Sequence, residues 1–208
     1  MRRIVVLAIS VIMSFLLADK AGAKFDPKVD YMSIMIDAAM AGDYDAGLAA
    51  EAARNEKIDK LRLDYKKISF EDMYLLAKVI YAEAGSKWLS EHWKMCVGEV
   101  VLNRVASSEF PDTIRGVIEQ EGQYYGKNNP YFEKLRPDRT CVELAVRLLQ
   151  GERVINEPAV VFQANFAQGS GTFLKLFDPL LGYTYLCYSS RPELYKHKED
   201  KIVALGYS

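Results

Sequence analysis

The sequence predicts an α+β fold in which helices dominate. Three observations lead to it. Apolar residues recur at helical spacing across the first two thirds of the chain, and Ser69-Phe70-Glu71-Asp72 opens one of those stretches as a capped helix would. The last third then changes period to β-branched and aromatic runs separated by turn residues. Residues 24–30 read as an extended linker around Pro27. Met32, Met35, Ile36 and Ala39 mark a first helix, Gly42-Asp43 a break, and Ala46 to Leu61 a second helix. In that second helix Ala49, Ala50, Ala52 and Ala53 permit close packing. Residues 24–67 are therefore expected to form an N-terminal helical hairpin, either a packing module or a surface for a protein partner.

The next helix runs from the Ser69 cap through Leu75, Leu76, Val79 and Ile80 to a stop at Gly85. Another spans Ser90 to Ala106, with Val97, Val100, Val101 and Val105 as its apolar face. Phe110-Pro111-Asp112 makes a turn before a short helix from Thr113 to Ile118. Gly122 to Arg136, rich in Gly, Asn, Pro and Tyr, reads as loop, and Asp138 to Gln150 as helix. Ala159 to Phe166 and Tyr183 to Tyr188 read as a small antiparallel strand pair.

Composition narrows the function classes. Of 208 residues, 50% are hydrophobic and 26% charged, enough apolar material for a core and too much for a disordered tail. Lys plus Arg number 27 and Asp plus Glu 28, so no basic excess argues for nucleic acid as a partner. Two histidines and three cysteines leave little for a zinc-type site, and no cofactor is expected. Arg2 and Arg3, the apolar run Ile4 to Leu17 and the Ala21-Gly22-Ala23 cleavage pattern together read as a secretory signal peptide over residues 1–23. The apolar run is short for a hydrocarbon core of about 30 Å, so no membrane span is expected after cleavage. The predicted location is outside the cell or in its envelope. Cys96, Cys141 and Cys187 would survive cleavage; an odd number permits at most one internal disulfide, and buried free thiols are the favoured reading. Neither His92 nor His197 has a sequence context that suggests a cysteine–histidine pair.

Glu83 breaks its local pattern. It follows Leu76, Val79 and Ile80 by seven, four and three positions and so falls on their apolar face. A carboxyl group withdrawn from water there would hold its proton more tightly, as a general acid for glycosidic cleavage must. The alternative is an ordinary helix-end glutamate, snorkelling to solvent or paired with Lys87.

The stretch Leu75-Leu-Ala-Lys-Val-Ile-Tyr-Ala-Glu-Ala-Gly85, then Val97-Gly-Glu-Val-Val-Leu-Asn-Arg-Val105, Phe110-Pro-Asp-Thr-Ile-Arg-Gly-Val-Ile118 and Gly122-Gln-Tyr124, resembles the spore-cortex-lytic cell wall hydrolases of the SleB/CwlJ type. The resemblance covers about residues 70 to 190, within a catalytic domain drawn at 68–208. It implies a lysozyme-like α+β domain that cuts the glycan strands of peptidoglycan, with Glu83 as the catalytic glutamate. It favours a lytic transglycosylase, in which one glutamate acts first as acid and then as base, and the product ends in a 1,6-anhydro sugar. A hydrolase would need a second carboxylate about 5 to 9.5 Å away. Glu99 is one candidate, in contact with substrate or, alternatively, buried and hydrogen-bonded within the helix pair; Glu121 is a weaker one.

Gln123 and Tyr124 occupy the family's Gly-Gln-aromatic block. An amide can bond sugar hydroxyls or an N-acetyl group, and an aromatic face can stack on a pyranose. Phe162-Gln163-Ala164-Asn165-Phe166 resembles the family's aromatic-rich stretch, with Asn165 expected in the cleft and Phe162 in the core. Trp88 and Trp93 could form a sugar platform or pack in the core. The chain departs from the family at Gly182-Tyr183-Thr184-Tyr185, where relatives commonly place a histidine, and at Phe166, where they often have proline. Two other functions compete: an N-acetylmuramoyl-L-alanine amidase, which the poor histidine supply disfavours, and a non-catalytic wall-binding adaptor.

Overall fold

The structure, a computed structural model, describes residues 25–124 and 128–195, so the signal-peptide reading lies outside the described residues. Helix α1 (Tyr31–Ala41) is capped by Asp30, whose side chain accepts from the amides of Met32 and Ser33. Helix α2 (Tyr44–Leu61) is capped by Asp43. Between them Gly42 takes a left-handed conformation at φ 69°, and the Arg136 side chain lies against the space a Cβ would fill. The expected helical hairpin is therefore present. Its inner face is not separate from the rest: Met35, Ile36, Ala39 and Ala50 join the same core cluster as Phe70, Leu76 and Leu144.

Gly47 shows how closely the hairpin docks. A methyl group at this position would overlap the ring of Phe70, itself fully buried and stacked on Tyr74 at 5.8 Å. Gly47→Ala gains helix propensity but overpacks a stiff ring. A net loss of about 1–2 kcal/mol is expected, read as a lowered denaturant midpoint with unchanged slope.

Helix α3 (Phe70–Ala84) begins as expected, with the Ser69 hydroxyl accepting from the Asp72 amide and two acids in the first turn. Helix α4 (Glu91–Ala106) is capped by Ser90, and α5 (Ile114–Glu119) by Thr113. A short helix α6 (Pro130–Lys134) lies inside the segment expected to be loop. Asn129 caps it, accepting from the amides of Tyr131 and Phe132, and Pro130 occupies the first turn, where its missing N–H costs nothing. Helix α7 (Arg139–Leu149) is capped by Asp138. Leu76 and Ile80 of α3, Val97 and Val101 of α4, and Leu144 and Leu148 of α7 form the centre of the main core. Both α3 and α4 are buried on nearly all sides. Among the described residues no helix is long and apolar enough to cross a membrane.

Three antiparallel strands follow, β1 (Val160–Ala164), β2 (Thr172–Asp178) and β3 (Gly182–Tyr188), in the order β1-β3-β2. The expected pair β1 and β3 forms, in register Phe162 with Cys187 and Ala164 with Tyr185. The additional strand β2 is a largely exposed edge. Val160 and Leu186 pack against Cys96 and Val100 of α4, so this layer sits on one side of the helical core. The architecture is α+β, with seven helices among the described residues.

Candidate active site at the end of α3

Glu83 stands in the last turn of α3, and its side chain is exposed. The apolar stripe that predicts desolvation ends before it: Ile80 is sealed, Tyr81 and Ala82 are half-buried, and the residue that turns back into the core is Ala84. The carboxylate thus opens to solvent rather than hiding beneath the helix.

The groups around it are organised by a residue to which the sequence reading gave no role. Arg104, in the last turn of α4, is only 4% exposed. Its Nε donates to the Val161 carbonyl at 2.6 Å, and its Nη1 donates to Gln123 Oε1 at 2.9 Å. The guanidinium carbon lies 5.0 Å from the ring centre of Phe110, 4.9 Å from Tyr124 and 5.9 Å from Phe162. A buried cation is tolerable here because its charge is delocalised, faces aromatic rings and donates to fixed oxygens. Gly122, at φ 72°, makes the left-handed turn that brings Gln123 and Tyr124 back onto Arg104.

Tyr124 links this cluster to Glu83. Burial pushes its phenol above the ordinary value, the Arg104 charge opposes that rise, and the negative Glu83 adds to it. Its hydroxyl oxygen is sealed from solvent with no hydrogen-bond partner among the described residues, while the residue as a whole is half-buried. Glu83, Tyr124, Arg104 and Gln123 therefore share one electrostatic neighbourhood, built from the ends of α3 and α4 and the 120–124 turn. Asn165 follows β1 directly and is exposed, but among the described residues no hydrogen bond ties it to this cluster. Phe162, expected in the core, is half-buried at 6.3 Å from Phe110. The two indoles divide: Trp93 is in the core and Trp88 is 60% exposed.

Glu99 corrects the expectation that it contacts substrate. It is 1% exposed, and its carboxylate accepts from three backbone amides, Val154 at 2.6 Å and Ile155 and Asn156 at 2.9 Å. The carboxylate serves as a latch for the segment between α7 and β1. Every oxygen lone pair directed at those amides is lost to a sugar. The alternative reading, a buried hydrogen-bonded glutamate, is the correct one, although its partners lie in that segment rather than within the helix pair.

The three cysteines are free and buried. His92 does lie beside one of them, with Nε2 3.7 Å from Cys96 Sγ, one helical turn away. This proximity was not expected from the sequence context. The thiol is nonetheless no nucleophile: burial, reinforced by the Glu99 charge, pushes it up to about 12. Native protein is expected to leave all three thiols unreacted with a thiol-specific chromogenic reagent, and denatured protein to react at all three.

Against known proteins, a family model described as Cell Wall Hydrolase matches residues 90–174. This segment is similar to the cell wall hydrolase family. The match runs from the start of α4 into β2, so it contains Glu99, Arg104, Gln123, Tyr124 and Asn165 and begins just after Glu83. Comparison with curated proteins and with solved structures returns no match. The cluster at the junction of α3, α4 and the 120–124 turn lies mostly within the matched segment and is the candidate place for chemistry.

Proposed function

We propose that this chain is a peptidoglycan-acting cell wall hydrolase, and within that class an exported lytic transglycosylase in which Glu83 serves as acid and then base. The supporting observation is that the exposed Glu83 carboxylate lies within electrostatic range of Tyr124, which packs on the Arg104 guanidinium that also holds Gln123. A glycan strand laid over the end of α3 would exclude water from around this exposed carboxyl group. The protonated group gives its proton to the bridging oxygen as the bond from that oxygen to the muramic C1 breaks. The resulting carboxylate takes the proton of the muramic 6-hydroxyl, and O6 closes on C1. One proton is donated and one recovered, no water is consumed, and the product carries a 1,6-anhydro ring.

The fixed state of Glu99 removes one of the two candidate second carboxylates that hydrolysis would require and leaves only the exposed Glu121. The basic and apolar residues from Arg2 to Ala23 supply the argument for export to the envelope. Mass spectrometry of the fragments released from purified peptidoglycan tests the route. The proposal predicts muramic ends lighter by one water than hydrated reducing ends. Hydrated ends would instead establish hydrolysis, and free stem peptides an amidase.

A further inference from the structure

Arg104 also decides which way the Gln123 amide faces. A guanidinium has donors and no acceptor, so the amide atom 2.9 Å from Nη1 must be the oxygen. The usual ambiguity of a glutamine flip is thereby removed. Arg104 is itself immobilised, by its bond to Val161 and by the three surrounding rings. With Oε1 occupied by Arg104, the two Nε2 hydrogens are what the exposed Gln123 side chain has left to offer a ligand. That end of the amide can donate and is poorly placed to accept.

The groups along an N-acetylated glycan strand answer this differently. Hydroxyls can donate or accept, ring and bridging oxygens are weak and shielded acceptors, and the acetamido carbonyl is a strong acceptor. We propose that Arg104 is a positioning residue that holds Gln123 as a reader of the acetamido carbonyl, making N-acetylation of the glycan a condition of tight binding. This rests on the reading that the strand lies over Glu83, and it adds the chemical feature by which the strand is selected.

The test measures binding, so that it stands apart from any cleavage. A β-1,4-linked N-acetylglucosamine oligomer and its fully de-N-acetylated counterpart are titrated by calorimetry against the full chain and two variants. Wild type is expected to bind the acetylated oligomer about tenfold or more tightly, because loss of the carbonyl leaves a fixed donor without its partner. Gln123→Glu changes an exposed side chain and should keep the melting temperature. Its second oxygen replaces the donor, so the preference should reverse toward the ammonium-bearing oligomer. Arg104→Lys cannot hold the amide in the same way and should reduce the preference to about twofold or less among molecules that remain folded. A purely structural role for Arg104 would weaken both oligomers alike and leave their ratio intact. Equal affinity or no binding in wild type, or an unchanged ratio in Gln123→Glu, would overturn the assignment. Failure of the transglycosylase reading would appear separately, as the wrong ends on peptidoglycan fragments.

Discussion

Replacing Glu83 by Gln is expected to lower the rate of peptidoglycan cleavage by about 10³-fold, the usual worth of a positioned proton donor. The side chain keeps its size and its exposed position at the end of α3, so neither packing nor capping of the helix should change. The melting temperature should stay close to wild type, since the change is isosteric and the side chain is exposed. Glu83→Asp would keep a carboxyl group but withdraw it from the bridging oxygen, and should recover only part of the loss. Both are read by the release of soluble fragments from purified peptidoglycan alongside a thermal melt. Near-wild-type release by Glu83→Gln would remove this residue from the mechanism.

Glu99→Ala is expected to have the largest effect on stability. It strips three buried backbone amides of their acceptor at once and leaves a void beside Cys96 and Ile155. Each orphaned donor costs about 1–3 kcal/mol, partly recovered if water enters, so a net loss of about 4 kcal/mol is reasonable. For a chain of this size that corresponds to a fall of about 10 °C in Tm. The segment it holds leads directly into β1, so the sheet layer should loosen together with it. Glu99→Gln distinguishes a latch from a catalyst. A latch predicts a lowered Tm with activity per folded molecule retained at low temperature. A second catalytic acid predicts the opposite pattern, lost activity with an unchanged melt.

The contrast between these two glutamates shows what local sequence can carry. Helix boundaries were legible because they depend on nearby signals: Ser69, Ser90 and Asp138 each cap an amide within three residues. Helix α6 had a signal of the same kind, Asn129 followed by Pro130, hidden in a segment otherwise rich in turn formers. Strand β2 was obscured because Thr172 is its only β-branched residue and both of its faces are largely open. Glu83 lies on the apolar stripe by angle, but a stripe has no desolvating power beyond the point where the neighbouring elements end. The partners of Glu99 lie 55 to 57 residues further along the chain, and nothing in its own helix indicates them.

Arg104 illustrates the same limit for the site. It falls within the Val97 to Val105 block that carries the family resemblance, yet its role depends on Phe110, Gln123, Tyr124, Val161 and Phe162 meeting in space. Its one local signal was a guanidinium on a helix whose neighbouring positions are almost uniformly buried. A charge in such a setting needs partners, and those partners include both Gln123 and Tyr124 of the Gly-Gln-aromatic block.

The proposed chemistry requires one glycan strand to lie across Glu83, Gln123 and Tyr124 at the end of α3. Its most direct test is a heteronuclear NMR titration of the Glu83→Gln variant with peptide-free glycan fragments, following amide signals and the Nε signal of Arg104. The substituted side-chain amide, Gln123, Tyr124 and the Arg104 Nε are expected to shift together and saturate at a common ligand concentration. Saturable shifts confined to another face of the molecule, with these four groups unmoved, would contradict that placement of the strand.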